Sequence, residues 1–407
     1  MQHVNFTIDE LECVDVSPVI DFDKLRTGAG IFDVLSKAEA LEREGKEILH
    51  FEIGQPDFPT PEHIKEAAKQ ALDANFTGYV AANGIRELKE AIQDEIEITR
   101  GYRPTLDQIL VLPGANSGIY YTMRAAIKNP SKEEIIYPDP GFPTYAAVVN
   151  YLNTGKIPIP LKEENEFRLD PVDIEENMSS NPKLVVLNSP MNPTGSMMTK
   201  KELSRVAELA EEHNFYILAD EVYSKMTYDQ EFYSATIRDE AKKRSVLLDG
   251  FSKAYSMCGW RLGYVIGPES LVDKMSLLIS TTISCVNSFT QKAGVAALKG
   301  PQEELKSNMK AFRERRNVIV KGLNEVKGFS CLMPQGAFYA FPNIKKTGMS
   351  SKELSDHLLA NAGVACLPGT IFGDTGEGYL RFSYATSVET IKKAVKQIKK
   401  TFEQDET

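Results

Sequence analysis

Short apolar segments alternate with amphipathic helical segments from Thr60 to about residue 300, and this alternation constrains the fold more than any other feature of the sequence. The apolar runs lack the regular polar residues of a strand with one solvated face, which is typical of strands buried on both faces. They lie at 109–112, 134–137, 184–187, 216–219, 245–248 and 264–266. Alternating buried strands and helices predict an α/β fold, with a mostly parallel sheet, helices on both faces and right-handed crossovers.

A different pattern begins at about residue 301. A long charged helix is predicted over 302–326, followed by extended runs at 336–341, 364–367 and 379–384, and the last run alternates outward-facing and inward-facing positions. This pattern predicts a smaller α+β domain. Helix starts are predicted at three caps, which are Thr60 with Pro61, Thr199 with Glu202, and Ser350 with Glu353.

The charge of the chain argues against two classes of partner. The 47 Lys and Arg residues and 57 Asp and Glu residues give a net charge of −10, whereas nucleic-acid-binding domains are usually basic. No segment has the roughly 18 consecutive apolar residues of a membrane helix. Residues 1–19 carry acidic side chains where a secretion signal carries cationic ones. The sequence therefore predicts a cytoplasmic protein that binds neither nucleic acid nor membranes.

Cysteine and histidine spacing predicts no metal site. The five Cys residues are far apart and form no Cys-x-x-Cys pair, so we expect reduced thiols. The five His residues form neither His-x-x-x-His nor His-Glu-x-x-His. Metal-dependent catalysis is therefore disfavoured.

Residue types suited to binding and catalysis follow five of the predicted strands. They lie in segments 113–116 (PGAN), 138–142 (PDPGF), 188–195 (NSPMNPTG), 220–223 (DEVY) and 249–253 (DGFSK). Each segment alone has an ordinary explanation, because Gly and Pro make turns, Asn and Asp cap helices and Lys is usually solvated. In an open parallel sheet, however, the ligand site lies beyond the carboxyl ends of the strands. These segments would therefore meet in one crevice.

Together the five segments suit a phosphorylated aromatic cofactor. A lysine amine can form a Schiff base with an aldehyde, and an aspartate can keep a pyridine nitrogen protonated. A helix N-terminus can bind a phosphate through its backbone N–H groups. Phe142 is a candidate for stacking on the ring, and Arg261, eight residues after Lys253, is a candidate for a bidentate phosphate contact.

The segment 252–263 (SKAYSMCGWRLG) resembles the cofactor-lysine segment of pyridoxal-phosphate-dependent aminotransferases of the class I (aspartate aminotransferase) family, fold type I. Further similar motifs are GQPDF at 54–58, Tyr79 with GIREL at 84–88, NSPMNPTG at 188–195, DEVY at 220–223 and YLRFS at 379–383. The resemblance implies a seven-stranded-type sheet in a large cofactor-binding domain at 56–298. It also implies a small α+β domain built from both chain ends, at 27–55 and 299–407, after an N-terminal extension at 1–26.

The resemblance also implies a role for each candidate residue. Lys253 would bind pyridoxal 5′-phosphate and act as general base, and Asp220 would pair with the pyridinium nitrogen. Tyr223 and Asn192 would bind the 3′ oxygen of the ring, on which Phe142 would stack. The implied phosphate ligands are Ala115, Asn116, Ser252, Arg261 and, from the second subunit of a homodimer, Tyr79. The implied ligands of the substrate carboxylate are Gly54, Asn192 and Arg381.

Three positions qualify these expectations. Gly250 stands where many relatives have a phosphate-binding hydroxyl, and Ser252 is a candidate to replace it. Asn116 stands where aspartate-specific bacterial relatives carry a lysine for the distal carboxylate, which favours neutral or aromatic substrates here. By pattern alone, Arg381 would be a solvated charge on an outward strand position. Arg26, Arg86 and Arg124 are candidates to bind a distal carboxylate if glutamate is used.

The sequence thus predicts a homodimeric aminotransferase that moves an amino group from an α-amino acid to a 2-oxo acid in two half-reactions. One alternative is a different pyridoxal-phosphate reaction on the same scaffold, such as an elimination. A second alternative is a non-catalytic regulator, which the short, acidic segment 1–26 disfavours because it does not resemble a DNA-binding module.

Overall fold

The computed structural model describes residues 30–236, 238–239 and 243–404, so the expected extension at 1–26, with Arg26, lies outside the described residues. The helices are α1 (Gly30–Arg43), α2 (Glu62–Asp73), α3 (Arg86–Arg100), α4 (Ala115–Ala126), α5 (Thr144–Leu152), α6 (Pro171–Asn177), α7 (Lys200–His213), α8 (Glu269–Thr282), α9 (Ser288–Lys299), α10 (Glu303–Asn324), α11 (Ser351–His357) and α12 (Val388–Gln404). The strands are β1 (Leu49–His50), β2 (Ile109–Leu112), β3 (Glu134–Asp139), β4 (Gly155–Pro160), β5 (Pro182–Asn188), β6 (Tyr216–Asp220), β7 (Ser245–Gly250), β8 (Gly263–Ile266), β9 (Tyr339–Ala340), β10 (Val364–Ala365), β11 (Leu367–Pro368) and β12 (Leu380–Ser383).

The central sheet confirms the predicted α/β fold. Its seven described strands have the order β2-β8-β7-β6-β5-β3-β4. Strand β8 is antiparallel to both of its neighbours, and every other pair is parallel. All six predicted apolar runs are strands of this sheet. Three of them extend far enough that their last residues are Asn188, Asp220 and Gly250.

Edge strand β4 was not predicted from the sequence. Its residues GKIPIP are partly or fully exposed except for Ile159, so it shows no continuous apolar run. Its prolines cannot donate backbone hydrogen bonds, and a proline-containing strand is tolerated at a sheet edge. The strand pairs on one side only, with β3.

Alternate residues of the strands that are buried on both faces enter separate cores, as edge strand β2 illustrates. Leu110 and Leu112 of β2 pack in one core with residues of α4, α5 and α8. Ile109 and Val111 of the same strand pack in another core with residues of α2, α3 and α9. Burial on both faces explains why these strands lack polar alternation.

One of the smaller sheets joins the two ends of the described chain. Strand β1 pairs in parallel with β10, and an antiparallel sheet has the order β11-β12-β9. The run predicted at 364–367 is two short strands, β10 and β11. The expected alternation in β12 is wrong, because all four of its residues are buried. Leu380 and Phe382 pack in the core formed with α10 and α12, whereas Arg381 lines a crevice. The domain boundaries given above stay predictions.

The predicted capping boxes at the starts of α7 and α11 are confirmed. The predicted Thr60 cap is wrong, because α2 begins at Glu62 after Pro61 and has no side-chain cap. The Thr60 hydroxyl instead donates a 2.6 Å hydrogen bond to the carbonyl of Ser256. The Thr60 hydroxyl thus bonds to a residue that is distant in sequence, whereas the local pattern predicted that it would cap α2. None of the described helices is long and apolar enough to cross a membrane.

Candidate active site

A crevice lies beyond the carboxyl ends of the parallel strands. It brings together all but one of the predicted site residues, namely Gly54, Ala115, Asn116, Phe142, Asn192, Asp220, Tyr223, Ser252, Lys253, Arg261 and Arg381. The exception is Tyr79, which is 91% exposed and lies in a separate depression with Ile283. Five strand ends therefore converge as the topology predicts.

Lys253 projects into the crevice shortly after β7. Its Nζ donates a 2.6 Å hydrogen bond to the carbonyl oxygen of Gly54 and lies 6.0 Å from the ring centre of Tyr223. In the described part of the chain, no carboxylate oxygen lies within 4.0 Å of this amine. Gly54 must lack a side chain, because a Cβ there would lie 2.3 Å from the hydroxyl of Tyr339.

Asp220, the last residue of β6, is only 4% exposed. Its Oδ2 accepts a 2.7 Å hydrogen bond from the hydroxyl of Tyr145, and its Oδ1 accepts a 3.4 Å bond from the backbone N–H of Val222. Burial raises the pKa of Asp220 from its ordinary 3.8 to about 6, although the Tyr145 hydrogen bond opposes this rise. Both hydrogen-bond partners are neutral, so the carboxylate suits a cationic ligand.

Arg381 is 2% exposed, and burial lowers its pKa. Its Nη1 donates to Asn192 Oδ1 at 3.1 Å and its Nη2 donates to the carbonyl of Glu52, but its Nε has no partner. The guanidinium lies 4.5 Å from the ring centre of Tyr339. Of the described carboxylates, none forms an ion pair with it. A buried guanidinium without a counter-ion suits an anionic ligand.

The N-terminus of α4 forms another end of the crevice. Gly114 precedes this helix with a φ of +87°, which favours glycine, and Ala115 and Asn116 form its first turn. A Cβ at Gly114 would lie 2.4 Å from Nη2 of Arg261, so the missing side chain lets this arginine reach the helix start. Backbone N–H groups and a guanidinium at one place suit a phosphate.

Gly250 and Ser252 also lie beside this end of the crevice. A Cβ at Gly250 would lie no closer than 3.4 Å to any neighbour, which is ordinary contact. The absence of a hydroxyl at Gly250 is therefore not imposed by crowding.

Sequence reasoning missed Ile31, Tyr145 and Tyr339, which line the crevice, and it assigned no individual role to Asn188, Val222 and Cys258 within the segments that it singled out. Tyr145 lies three residues after Phe142, in the turn that begins α5, where its backbone N–H donates to the Phe142 carbonyl at 3.0 Å, and this closeness to a predicted site residue was a usable signal. Ile31 comes from α1, which lies far away in the sequence, and no local pattern indicates its position.

Of the candidate arginines for a distal carboxylate, the two that are described, Arg86 and Arg124, do not line the crevice. Arg86 donates to Glu90 at 2.7 Å, and Arg124 donates to the carbonyl of Ile127 at 3.5 Å. The cations that line the crevice within the described residues are Lys253, Arg261 and Arg381.

Comparison with known proteins adds independent information. The family model described as "Aminotransferase class I and II" matches residues 46–398. The chain belongs to this family. It is 40% identical to an aspartate aminotransferase of Pyrococcus horikoshii over 372 residues, which cover 90% of this chain and 94% of the relative. It is 38% identical to aromatic-amino-acid aminotransferase 2 of Thermococcus litoralis over 361 residues, which cover 88% and 92%.

A solved structure of an aromatic aminotransferase from Pyrococcus horikoshii superposes with a TM-score of 0.86 at 36% identity, covering 91% of this chain and 99% of that one. These findings confirm the family and the fold predicted from the sequence. The protein is an enzyme, and its activity is that of an aminotransferase.

Proposed function

We propose that this aminotransferase uses pyridoxal 5′-phosphate to exchange an amino group between an α-amino acid and a 2-oxo acid. One observation carries the proposal. A lysine amine, a buried aspartate with neutral partners and a buried arginine with neutral partners face the same crevice at Lys253, Asp220 and Arg381. Each of these groups matches one part of the cofactor or of the amino-acid substrate.

The residues present fit the cofactor at three points. The N-terminus of α4 and Arg261 match the phosphate, and Asp220 matches a protonated ring nitrogen. Lys253 matches the aldehyde. When bound, the cofactor supplies an electrophilic carbon and a ring that withdraws electrons from the substrate. Phe142 lines the crevice and would stack on that ring.

Around the ring, Tyr223 and Asn192 would bind the 3′ oxygen. The Tyr223 hydroxyl lies 2.7 Å from the hydroxyl of Tyr339, so Tyr339 can donate to Tyr223 while Tyr223 donates to the ligand. Burial raises the pKa of Tyr223 well above its ordinary value, which keeps it a neutral donor. The backbone N–H of Asn192 is held by Asn188 Oδ1 at 2.9 Å.

Arg381 would bind the substrate α-carboxylate. Its low-dielectric surroundings strengthen such an ion pair, and Asn192 holds the guanidinium in place through Nη1. The bound carboxylate would position the α-carbon near Lys253. The Lys253 amine would then act as the base that removes the α-proton and as the acid that returns it to the cofactor carbon bonded to the transferred nitrogen.

The second subunit of the proposed homodimer would supply Tyr79. Its side chain is 91% exposed and lies away from the crevice of its own chain, as a residue that contacts a neighbour's phosphate requires. The cytoplasmic location expected from the sequence also stays a prediction.

We propose neutral or aromatic amino acids as preferred substrates. Each described cation of the crevice has a proposed role at the cofactor or the α-carboxylate, and Ile31 and Val222 add apolar surface. A distal carboxylate would therefore find no partner among the described residues, which costs about 3–5 kcal/mol when one member of a buried pair is missing.

The central test is Lys253→Ala, with Lys292→Ala as the control, because Lys292 pairs with Glu87 outside the crevice. We expect Lys253→Ala to lose nearly all transamination and to retain no cofactor after borohydride reduction and denaturation. The control should keep both its transamination activity and its covalently bound reduced cofactor. Substantial turnover by Lys253→Ala would contradict the proposal. The parent enzyme must also require a 2-oxo acid acceptor for continued turnover, since an elimination enzyme would not.

A further inference from the structure

A fully buried carboxylate lies beside the proposed substrate arginine and does not pair with it. Glu52, just after β1, is 0% exposed, and its backbone carbonyl accepts a hydrogen bond from Arg381 Nη2. Its side chain points elsewhere. Oε1 lies 2.7 Å from Nδ1 of His50, and Oε2 has no partner.

His50, which is partly exposed, lies between this carboxylate and the protein surface and holds the carboxylate by a hydrogen bond. Its Nε2 lies 3.1 Å from Oε1 of Glu42 on α1, so the imidazole bridges a buried and an exposed carboxylate. The two carboxylates raise the pKa of His50 from 6.5 to about 9, against the effect of burial. The imidazole is therefore a cation at neutral pH, and Nδ1–H donates to Glu52.

Strand geometry sets up this pair. His50 and Glu52 are two residues apart in an extended segment, so their side chains lie on the same side of the chain, and the intervening Phe51 points to the other side. Phe51 packs in the core, where its ring centre lies 5.9 Å from that of Phe382.

A free Glu52 carboxylate would compete with the substrate. Arg381 has an unpartnered Nε, and Glu52 has an unpartnered Oε2. Opposite charges attract strongly in a low-dielectric interior, so an unrestrained Glu52 would be drawn to the guanidinium. An Arg381 neutralised in this way binds a carboxylate more weakly.

We propose that His50 is a positioning residue for substrate binding: by holding the Glu52 carboxylate, it leaves the Arg381 guanidinium available for the α-carboxylate of the substrate. This inference rests on the proposed role of Arg381. His50 touches neither substrate nor cofactor and acts only through Glu52.

The test compares steady-state kinetics of His50→Ala, His50→Gln and the double variant His50→Ala with Glu52→Gln, using the amino acid with the highest kcat/KM. For His50→Ala we expect KM to rise about tenfold, in line with loss of a charged hydrogen bond, with kcat within about twofold of the parent. The double variant has no carboxylate to compete, so its KM should return to within about threefold of the parent. His50→Gln retains a donor to Glu52 and should have a smaller effect than His50→Ala.

Glu42→Gln is the matched control, because it removes only the outer partner of His50. Its KM should change by less than about twofold. An unchanged KM in His50→Ala would overturn the inference, and so would a raised KM that Glu52→Gln does not restore. If His50→Ala fails to fold, the comparison of His50→Gln with its own Glu52→Gln double variant decides in the same way.

The role of Arg381 is tested separately by Arg381→Gln. If this change leaves KM unaltered, the proposed substrate site itself fails. If it raises KM strongly while His50→Ala does not, only the inference about His50 fails.

Discussion

Replacing Tyr145 by phenylalanine would remove one hydroxyl from the candidate active site. That hydroxyl donates a 2.7 Å hydrogen bond to Asp220 Oδ2, and Tyr145 is fully buried on α5. The ring would stay in place against Phe142, whose centre lies 5.8 Å away. The change therefore tests the electrostatics of Asp220 with little effect on packing.

The size of the effect follows from the charge of the acceptor. A hydrogen bond to a charged group contributes about 1.5–3 kcal/mol, and 1.36 kcal/mol corresponds to one pH unit in a titration. The parent pKa of Asp220 is about 6. Without the Tyr145 donor the carboxylate form is less stable, so the midpoint of its titration should move upward by about one to two pH units.

The upward shift in the pKa of Asp220 can be detected by measuring the affinity for pyridoxal phosphate as a function of pH. Below its pKa, Asp220 is protonated and gives no charged partner to the ring nitrogen, so the affinity of the apoenzyme for pyridoxal phosphate falls as pH falls. In Tyr145→Phe this fall should begin at higher pH. Fluorescence quenching titrations of the apoenzyme between pH 5 and pH 9 measure it. The cofactor phosphate titrates near pH 6 in both proteins, so only their difference reports on Asp220.

Tyr384→Phe provides the matched control, because its buried hydroxyl pairs with that of Tyr228 at 3.0 Å in a different core. Its pH profile should follow the parent. Asp220→Asn should flatten the part of the profile that differs between parent and Tyr145→Phe. Identical profiles for the parent and Tyr145→Phe would refute this account of Asp220.

Four further outcomes are expected. Gly250→Ser should be tolerated, because its Cβ would lie at least 3.4 Å from its neighbours, and should tighten cofactor binding about threefold or more by adding a hydroxyl; weaker binding argues against a phosphate there. Mixing Tyr79→Ala with Lys253→Ala subunits should restore activity in hybrid dimers, and no restoration would place Tyr79 in its own site. With Asn116 in the crevice, kcat/KM should be higher for alanine or phenylalanine than for aspartate, and an aspartate preference would contradict this. Burial raises the pKa of Asp249 to about 7, so the contribution of Asp249 to apoenzyme stability should fall as pH rises from 4 to 7; the change in melting temperature across this range should be more positive in Asp249→Asn than in the parent, and equal changes would contradict this.

Much of the fold could be predicted from the sequence because six of the seven described strands of the central sheet, edge strand β2 among them, are covered on both faces. Their continuous apolar character is a local property that reports directly on the sheet. Edge strand β4 lacked that property, since solvent on one side allows Lys156 and two prolines. Thr60 failed as a cap because its partner, the carbonyl of Ser256, is distant in sequence.

The candidate site was predictable where its residues directly follow the parallel strands. Asp220 and Lys253 follow from chain order, because all of these strands end at one edge. Arg381 did not follow from its pattern, since its burial comes from aromatic rings of Tyr339 and Phe372 that tertiary folding places around it. Only the family resemblance assigned it to the site. Glu52 and His50 were missed because their two-residue spacing does not show that Arg381, which is distant in sequence, lies beside Glu52.

Asp220 and Arg381 both line one crevice, both are at least 96% buried, and neither has a charged hydrogen-bond partner. A chain selected for stability alone would pair two such charges or replace them, because desolvating an unpaired ion is costly. Here the two are held apart by separate neutral partners, Tyr145 for the carboxylate and Asn192 for the guanidinium. Ligands that bring a cation to the first and an anion to the second would remove both costs at once. Binding of cofactor and substrate should therefore stabilise the enzyme by more than contact area alone would provide.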